Sequence, residues 1–306
     1  MGQMIQKKNL YLAFKAPDVG FGIKNLKQDY MPFFNDLKPC PALQPYVWRY
    51  RFIHFSFTDT SLPPAKAYPP RPEVTLSFYP RDTEQVSYSD GRSPAPVRAA
   101  LIGQQSVVSN RLVGKEFVLI QVVFQPGGLF RLIGLPAKEI NNEYLDAQAV
   151  LGSQLREVNE KLMNTEHYPD MIPVVEDFLI KLSRKTPYSH RPIDNFTMQM
   201  VNCPNNISLN WMAHESCLSQ KQLERNFRER VGVNPKYFWR IIRFDRAFRL
   251  KNACPDKDWL SIALECGYYD YQHLVKDYKE FTGMSPAAFY FQDTQSPERA
   301  FGIVEK

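Results

Sequence analysis

Several kinds of site are missing from this sequence. Its five cysteines, Cys40, Cys203, Cys217, Cys254 and Cys266, are odd in number, widely spread, and include no C-x-x-C. Neither a disulfide framework nor a zinc site is expected, and the thiols read as buried and free in a reducing cytoplasm. Histidine is as dispersed: of His54, His167, His190, His214 and His273 only His54 falls in the β-rich part, and no H-x-H stands with a carboxylate. His54 therefore reads as a partly buried member of an aromatic cluster, not a ligand. No G-x-S-x-G, P-loop or H-E-x-x-H is present, and Gly127-Gly128 reads as a tight strand-to-helix turn. An enzyme is not expected, and neither is a metal or other cofactor.

Long apolar runs are missing too, since no uncharged stretch approaches the roughly 18 residues of a membrane span. The opening MGQMIQKKNLYLAFKAP places Lys7 and Lys8 before an apolar patch too short for a secretory signal, and Lys15 interrupts it. Gln6 stands where an N-myristoylation signal wants Ser or Thr. A cytoplasmic protein without a membrane partner is expected.

What is present is unevenly placed. Over 306 residues, 38 Lys and Arg stand against 32 acids, for a formal net charge of +6. Residues 219–251 alone hold ten basic side chains and three acids, a local excess of seven, and the rest of the chain sums to −1. Such a block points to an anionic partner more strongly than a high average would. At 44% hydrophobic and 13% aromatic residues the chain can bury substantial cores. Its length suggests about two domains.

The first part is β-rich. Residues 46–57, 73–79, 84–88, 98–103 and 116–124 are short segments rich in Val, Ile, Thr and aromatics, separated by Pro63-Pro64, Pro69-Pro70, Asp90-Gly91 and Pro94. Alternation over 51–57 puts Ile53, Phe55 and Phe57 on one face. Strands at this spacing suggest a sandwich or small barrel. Tyr46, Trp48, Tyr50, Phe52, Phe55, Phe78 and Tyr79 are either the lining of a ligand cavity or a packed core. Helical registers follow at Leu129, Leu132 and Ile133, at Leu151, Leu155, Val158 and Leu162, and at Val174, Val175, Phe178, Leu179 and Leu182. The last two stripes either cover the sheet or form a subunit contact. Residues 185–192 read as a linker, and the chain beyond is helical to about residue 291.

The fold class expected is α+β and multidomain. A β-rich small barrel or sandwich covers 1–126, a helical extension 127–186, and a linker with a leading helix 187–205. An all-α domain with two helix-turn-helix units covers 206–292.

Those two units are visible as an internal repeat. Leu223, Phe227, Gly232 and Pro235 recur 51 residues later as Leu274, Tyr278, Gly283 and Pro286. Ala213 recurs at 50 as Ala263, so the second copy has one extra residue in its turn. Each copy reads as a short helix with a small Ala, a tight turn, a helix capped by Ser219 or Asp270, and a Gly stop. In the first capped helix Leu223 and Phe227 face in, and Lys221, Glu224, Arg225 and Arg228 face out. In the second, Leu274, Tyr278 and Phe281 face in, and Tyr271, Gln272, Val275, Lys276 and Lys279 face out. A major groove admits such a helix: Arg can bond guanine there, Gln adenine and Glu cytosine, while Val275 can touch a thymine methyl. Residues 236–251 read as a connecting helix. Arg228, Lys236, Arg240, Arg243 and Lys279 are the candidates for phosphate, and Arg249 is placed to pair with Asp245 at i, i+4.

On these residues, the stretch ISLNWMAHESCLSQKQLERNFRERVGVNPKYFWRIIRFDRAFRL followed by LSIALECGYYDYQHLVKDYKEFTGMSP resembles the double helix-turn-helix domain of AraC/XylS-type bacterial transcription regulators. The resemblance implies base reading by Ser219, Lys221, Glu224 and Arg225, and by Tyr271, Gln272, His273 and Lys276. Cys217 departs from the pattern, standing where the family commonly has Gly, and Val275 with Lys276 gives the second helix a weaker polar set. Upstream, VVFQPGGLFRLIGLPAKEI resembles the sensor region of family members with a small cupin-like β domain. That implies an effector-binding or dimerising N-terminal domain, with double-stranded DNA, RNA polymerase, a small-molecule effector and a second copy of the chain as partners. The effector-binding residues are unassigned. The function expected is sequence-specific regulation of transcription, with two reading helices in successive major grooves about 34 Å apart. The alternative is a ligand-sensing or protein-interaction module whose helical half makes only architectural or nonspecific DNA contacts.

Overall fold

The computed structural model describes residues 33–57, 65–185, 190–202 and 208–303. Cys203, Pro63-Pro64, the opening segment and half of the linker, residues 186–189, lie outside these residues. Among the described residues, nine strands form two antiparallel sheets. The larger runs in the order β1 (Phe33–Leu37), β2 (Val47–Ser56), β8 (Glu116–Phe124), β4 (Thr75–Phe78), β6 (Ala99–Ile102), β9 (Tyr144–Asp146). The smaller is β3 (Lys66–Tyr68), β7 (Ser109–Val113), β5 (Glu84–Tyr88).

The period of two sorts each strand into two cores. In β2, Ile53 and Phe55 face the smaller sheet, and Tyr50 and Phe52 face away from it. A bulge between Val47 and Arg49 shifts the register, so Val47 joins the face of Tyr50. In β8, Phe117 and Leu119 point inward, while Val118, Ile120, Val122 and Phe124 point outward. The outer face is covered by α1 (Gly128–Ile133), α2 (Ala147–Leu151), α3 (Gln154–Asn164) and α4 (Met171–Ser183). Leu155, Val158, Leu162, Val175, Phe178 and Leu179 share one core with the sheet, so these stripes cover it. The stripe begun at Leu151 is not one helix: Gly152, at φ 85°, ends α2 and α3 starts afresh. The strand β9 lies within the segment read as a helical extension, and its three residues are too few to carry a periodic signal.

The aromatic set is mostly core. Tyr50, Phe52 and Phe78 pack under the helices, and Tyr79 and Phe55 lie between the sheets. His54 is fully buried, with its ring 5.1 Å from that of Tyr168 and Nε2 2.9 Å from Glu116 Oε1. The four described cysteines are free, but Cys217 and Cys254 are exposed, contrary to the expectation of burial. Cys217 stands in a surface turn and Cys254 caps a helix end; the buried Cys266 thiol is pushed up to about 11 by desolvation.

The helical half comprises α5 (Pro192–Asn202), α6 (Leu209–Glu215), α7 (Gln220–Val231), α8 (Pro235–Ala253), α9 (Trp259–Glu265), α10 (Tyr271–Thr282) and α11 (Pro286–Asp293). It has two cores that share α8. Phe238 and Ile242 pack with Met212, Leu223 and Phe227 of the first unit, and Ile241, Phe244 and Phe248 with Ile262, Leu274 and Tyr278 of the second. Among the described residues no helix is long and apolar enough to cross a membrane.

Between the sheets, the Arg51 guanidinium donates to both oxygens of Glu73, at 3.0 and 3.1 Å, and to Gln121 Oε1 at 2.6 Å. The Arg51 side chain is 1% exposed and that of Glu73 5%. Desolvation raises the Glu73 carboxyl, but Arg51 and Arg49 outweigh it and hold the group well below the ordinary carboxylate range. Glu73→Gln should therefore destabilise the protein by about 3–5 kcal/mol in urea unfolding at neutral pH, because it leaves the buried Arg51 guanidinium with only the part-exposed Asp36 carboxylate, 3.7 Å away. With the folded value depressed, the contribution is full above about pH 4.3 and lost as pH falls through the folded value. The gap between wild type and variant should accordingly narrow in acid.

Candidate nucleic-acid interface

The two helix-turn-helix turns are alike at the level of single hydrogen bonds. Leu218 N–H donates to Ala213 O at 3.0 Å and Cys217 N–H to His214 O at 3.0 Å. Fifty residues on, Tyr268 N–H donates to Ala263 O at 2.9 Å and Gly267 N–H to Leu264 O at 3.1 Å. Gly267 adopts φ 79° and Cys217 φ 53°, so the same left-handed turn is made once by glycine and once by a residue carrying a Cβ. The extra residue of the second turn is Tyr269, which is 86% exposed.

The caps follow. Ser219 Oγ accepts from Gln222 N–H, and Gln222 Oε1 accepts from Ser219 N–H at 2.9 Å, closing a capping box on α7. Asp270 Oδ1 accepts from the backbone N–H of His273 at 2.9 Å and lies 2.8 Å from its ring Nδ1. Those two bonds, the backbone one first, hold the Asp270 carboxyl below its ordinary value.

Lys221, Glu224, Arg225 and Arg228 lie exposed along α7, and Gln272, His273, Lys276 and Lys279 along α10, with Tyr271 and Val275 half-buried. Lys236 is exposed in the first turn of α8. The basic block then divides in two. Arg230 binds Asp194 at 2.7 Å and Arg249 binds Asp245 at 2.8 Å. Arg240 holds Asp277 at 2.8 Å and also Glu280; Arg243 lies 3.6 Å from Asp277 and stacks on the Tyr268 ring at 4.4 Å. Arg246 donates to Val201 O, and Lys251 to the carbonyls of Pro255 and Lys257. That leaves Lys221, Arg225, Arg228 and Lys236, for which no carboxylate partner occurs among the described residues. The Asp245 pair could be seen at i, i+4; Asp194 and Asp277 are more than 30 residues from the arginines they hold.

Two cations that the sequence did not single out stand beside α7. Lys138, on the 3-10 turn Ala137–Ile140, and Arg191, just before α5, border the same concavity of about 1180 Å³ as Lys221, Arg225 and Arg228. Asn141 Nδ2 donates to Gly232 O, and a Cβ on Gly232 would run into Asn141. The close approach fastens the 3-10 turn to the end of α7.

A second concavity lies inside the β domain. Ile53, Phe55, Phe117 and Leu119 form its apolar wall, and Lys66, Glu84 and Arg111 its polar end. The turn Pro297–Phe301 that follows α11 closes it: Phe301 stacks on Phe55 at 5.5 Å and 11°, and Glu298 pairs with Lys66. What remains open is about 60 Å³.

Residues 212–290 match a family described as a helix-turn-helix domain, and residues 35–146 one described as a domain of unknown function. The chain is 26% identical over 108 residues to the HTH-type transcriptional regulator ArgR of Pseudomonas aeruginosa. That match covers 35% of this chain and 32% of the relative, so the chain spans about a third of that protein's length. Among solved structures, ToxT from Vibrio cholerae is similar at TM-score 0.42 and 13% identity, over 80% of this chain and 97% of that one. The DNA-binding domain of AdpA, in complex with a target DNA, matches at TM-score 0.32 and 21% identity, over 34% of this chain and 95% of that one. The chain is thus β-rich in front and doubly helix-turn-helix behind. Residues 212–290 resemble the helix-turn-helix domain of the AraC-type regulators.

Because no atom lies within 4 Å of a Cβ built on Gly267, Gly267→Ala should cost only the backbone penalty, about 1–2 kcal/mol. Cys217→Gly relieves the same strain against the greater chain entropy of glycine, and should stabilise by about 1 kcal/mol or less. Paired thermal melts of the two variants test both signs.

Proposed function

We propose that this chain is a sequence-specific DNA-binding regulator of transcription whose reading helices are α7 and α10. The observation that carries the reading is the exposed face of α7, where Lys221, Arg225 and Arg228 stand without carboxylate partners on a duplicated helix-turn-helix. The connector α8 has 19 residues. At 1.5 Å per residue it is about 28 Å long, a rigid spacer of the scale of the ~34 Å between successive major grooves.

In this reading Ser219, Lys221, Glu224 and Arg225 face bases in one groove, and Tyr271, Gln272, His273 and Lys276 in the next. Arg228, Lys236 and Lys279 take phosphate. Arg240 and Arg243 would reach phosphate only while shared with Asp277. The working division is a β-rich domain to residue 126, a helical extension to 186, a linker with its leading helix to 205, and the DNA-binding domain over 206–292. Cytoplasmic location, RNA polymerase and a second copy of the chain as partners belong to the same reading and rest on the family resemblance.

Selection of duplexes from a random pool tests it: a preferred sequence should emerge. Arg225→Ala should weaken binding to that sequence about 10- to 100-fold while leaving random duplex within a few-fold. Failure to enrich any sequence would favour purely architectural binding and reject the proposal.

A small-molecule effector is assigned to the β-domain cavity. Ligand cavities usually measure about 300–1,000 Å³, so a metabolite does not fit the 60 Å³ left open unless residues 297–303 withdraw. Phe301→Ala removes the ring stacked on Phe55 and should raise the affinity for 1-anilinonaphthalene-8-sulfonate several-fold. Unchanged fluorescence titrations would remove the cavity from consideration.

A further inference from the structure

We infer that the DNA interface is composite: Lys138 of the helical extension and the pre-α5 Arg191 join α7 in holding the phosphate backbone. The inference rests on the reading of α7 as a DNA-facing helix and extends that surface beyond the helix-turn-helix domain. Both side chains are exposed, and neither has a carboxylate partner among the described residues. They border one concavity with Lys221, Arg225 and Arg228, where the carboxylates on the wall are Glu224 and Glu229. Five cations against two anions leave that wall at +3.

The position is built, not incidental. Ala137 and Ile140 of the 3-10 turn are buried, which leaves Lys138 facing out. Asn141 anchors the turn to Gly232 O at the end of α7. Arg191 is held by its own backbone: its N–H donates to Asp194 Oδ2 at 2.8 Å, and Asp194 also binds Arg230 of α7. The backbones that carry Lys138 and Arg191 are thus fixed relative to the reading helix before DNA arrives. A cation positioned in this way neutralises phosphate without the ordering cost of a loose arm. Neither residue lies on the repeated helices that face bases, so the expected contribution is to affinity and salt dependence and not to sequence preference.

The test measures binding of the full chain to a random-sequence duplex and to a selected one as salt is raised. Each phosphate contact contributes about −0.9 to the slope of log K against log salt. The double variant Lys138→Ala, Arg191→Ala should flatten the slope by about two units on both duplexes and leave their affinity ratio unchanged. Between 50 and 200 mM salt its affinity should fall roughly tenfold less than that of wild type. Lys161→Ala, an exposed lysine of α3 that does not border this concavity, should leave the slope unaltered and so controls for net charge. A double variant with the wild-type slope, in a protein whose Arg225→Ala form has lost selectivity, overturns the composite interface alone. If Arg225→Ala is also silent, the reading of α7 itself has failed.

Discussion

Asp194 ties α5 to α7 at the point where the helical half meets α1. Its carboxylate accepts two bonds from Arg230 of α7, at 2.7 and 2.9 Å, and lies 3.9 Å from the Arg131 guanidinium of α1. Asp194 and Arg230 are each 4% exposed. Ion pairs this deep add little net stability, since desolvation offsets most of the attraction. Their contribution is geometric, because an unpaired charge there would cost several kcal/mol and alternative dockings are correspondingly penalised. Gly127 reflects the same constraint: it adopts φ 77°, and a Cβ there would sit 3.0 Å from Asp194. The turn carrying Asn141 is held against the same helix by its own bond to Gly232 O, so α7 is mounted on the helical extension at two points.

The same logic of pairing explains how the basic block is divided. Helix α8 must bury Ile241, Ile242, Phe244 and Phe248 in two separate cores, so apolar residues occupy much of its circumference. Arg240 and Arg243 emerge at the margin beside α10, where Asp277 is buried and must be neutralised. Arg240 and Arg243 meet that need. The four cations of the block that are bound to neither a carboxylate nor a carbonyl among the described residues belong to α7 and to the first turn of α8.

This is also where the legibility of the sequence ends. The duplicated unit, its caps and its inward residues were readable because they depend on spacing within one helix, and Leu223 with Phe227 or Leu274 with Tyr278 is a local pattern. Five strands were readable for the same reason, with β5 and β8 placed to the residue. The strands β3 and β9 have three residues each, and β7 is largely polar, so alternation had nothing to act on. Tertiary pairing leaves no such trace. Asp277 and Glu280 are remote in sequence from Arg240, and Asp194 from Arg230, so a count of charge over 219–251 treats engaged and available cations alike. Lys138 and Arg191 were invisible for the converse reason: each stands outside the basic block, and only folding brings it beside α7.

The two proposed reading helices are consequently unequal. In α7 the outward cations face a concavity enlarged by Lys138 and Arg191, and the acids on its wall are outnumbered. In α10 the outward Lys276 and Lys279 share their helix with Asp277 and Glu280, already bound to Arg240, and Asp270 precedes them at the cap. Coulomb attraction at exposed sites is screened within about 8–10 Å at physiological salt, so each helix is attracted mainly by its own immediate charges. In the proposed complex the first unit then supplies most of the electrostatic affinity. The second contributes through what uncharged groups can do: the amide of Gln272, the exposed ring of Tyr269 and the half-buried Val275. Such contacts depend on fit more than on field, and fit at α10 is governed by α8, because Phe244 and Phe248 set where α10 lies. The connector is therefore more than a spacer: it converts docking of the strongly charged helix into placement of the weakly charged one.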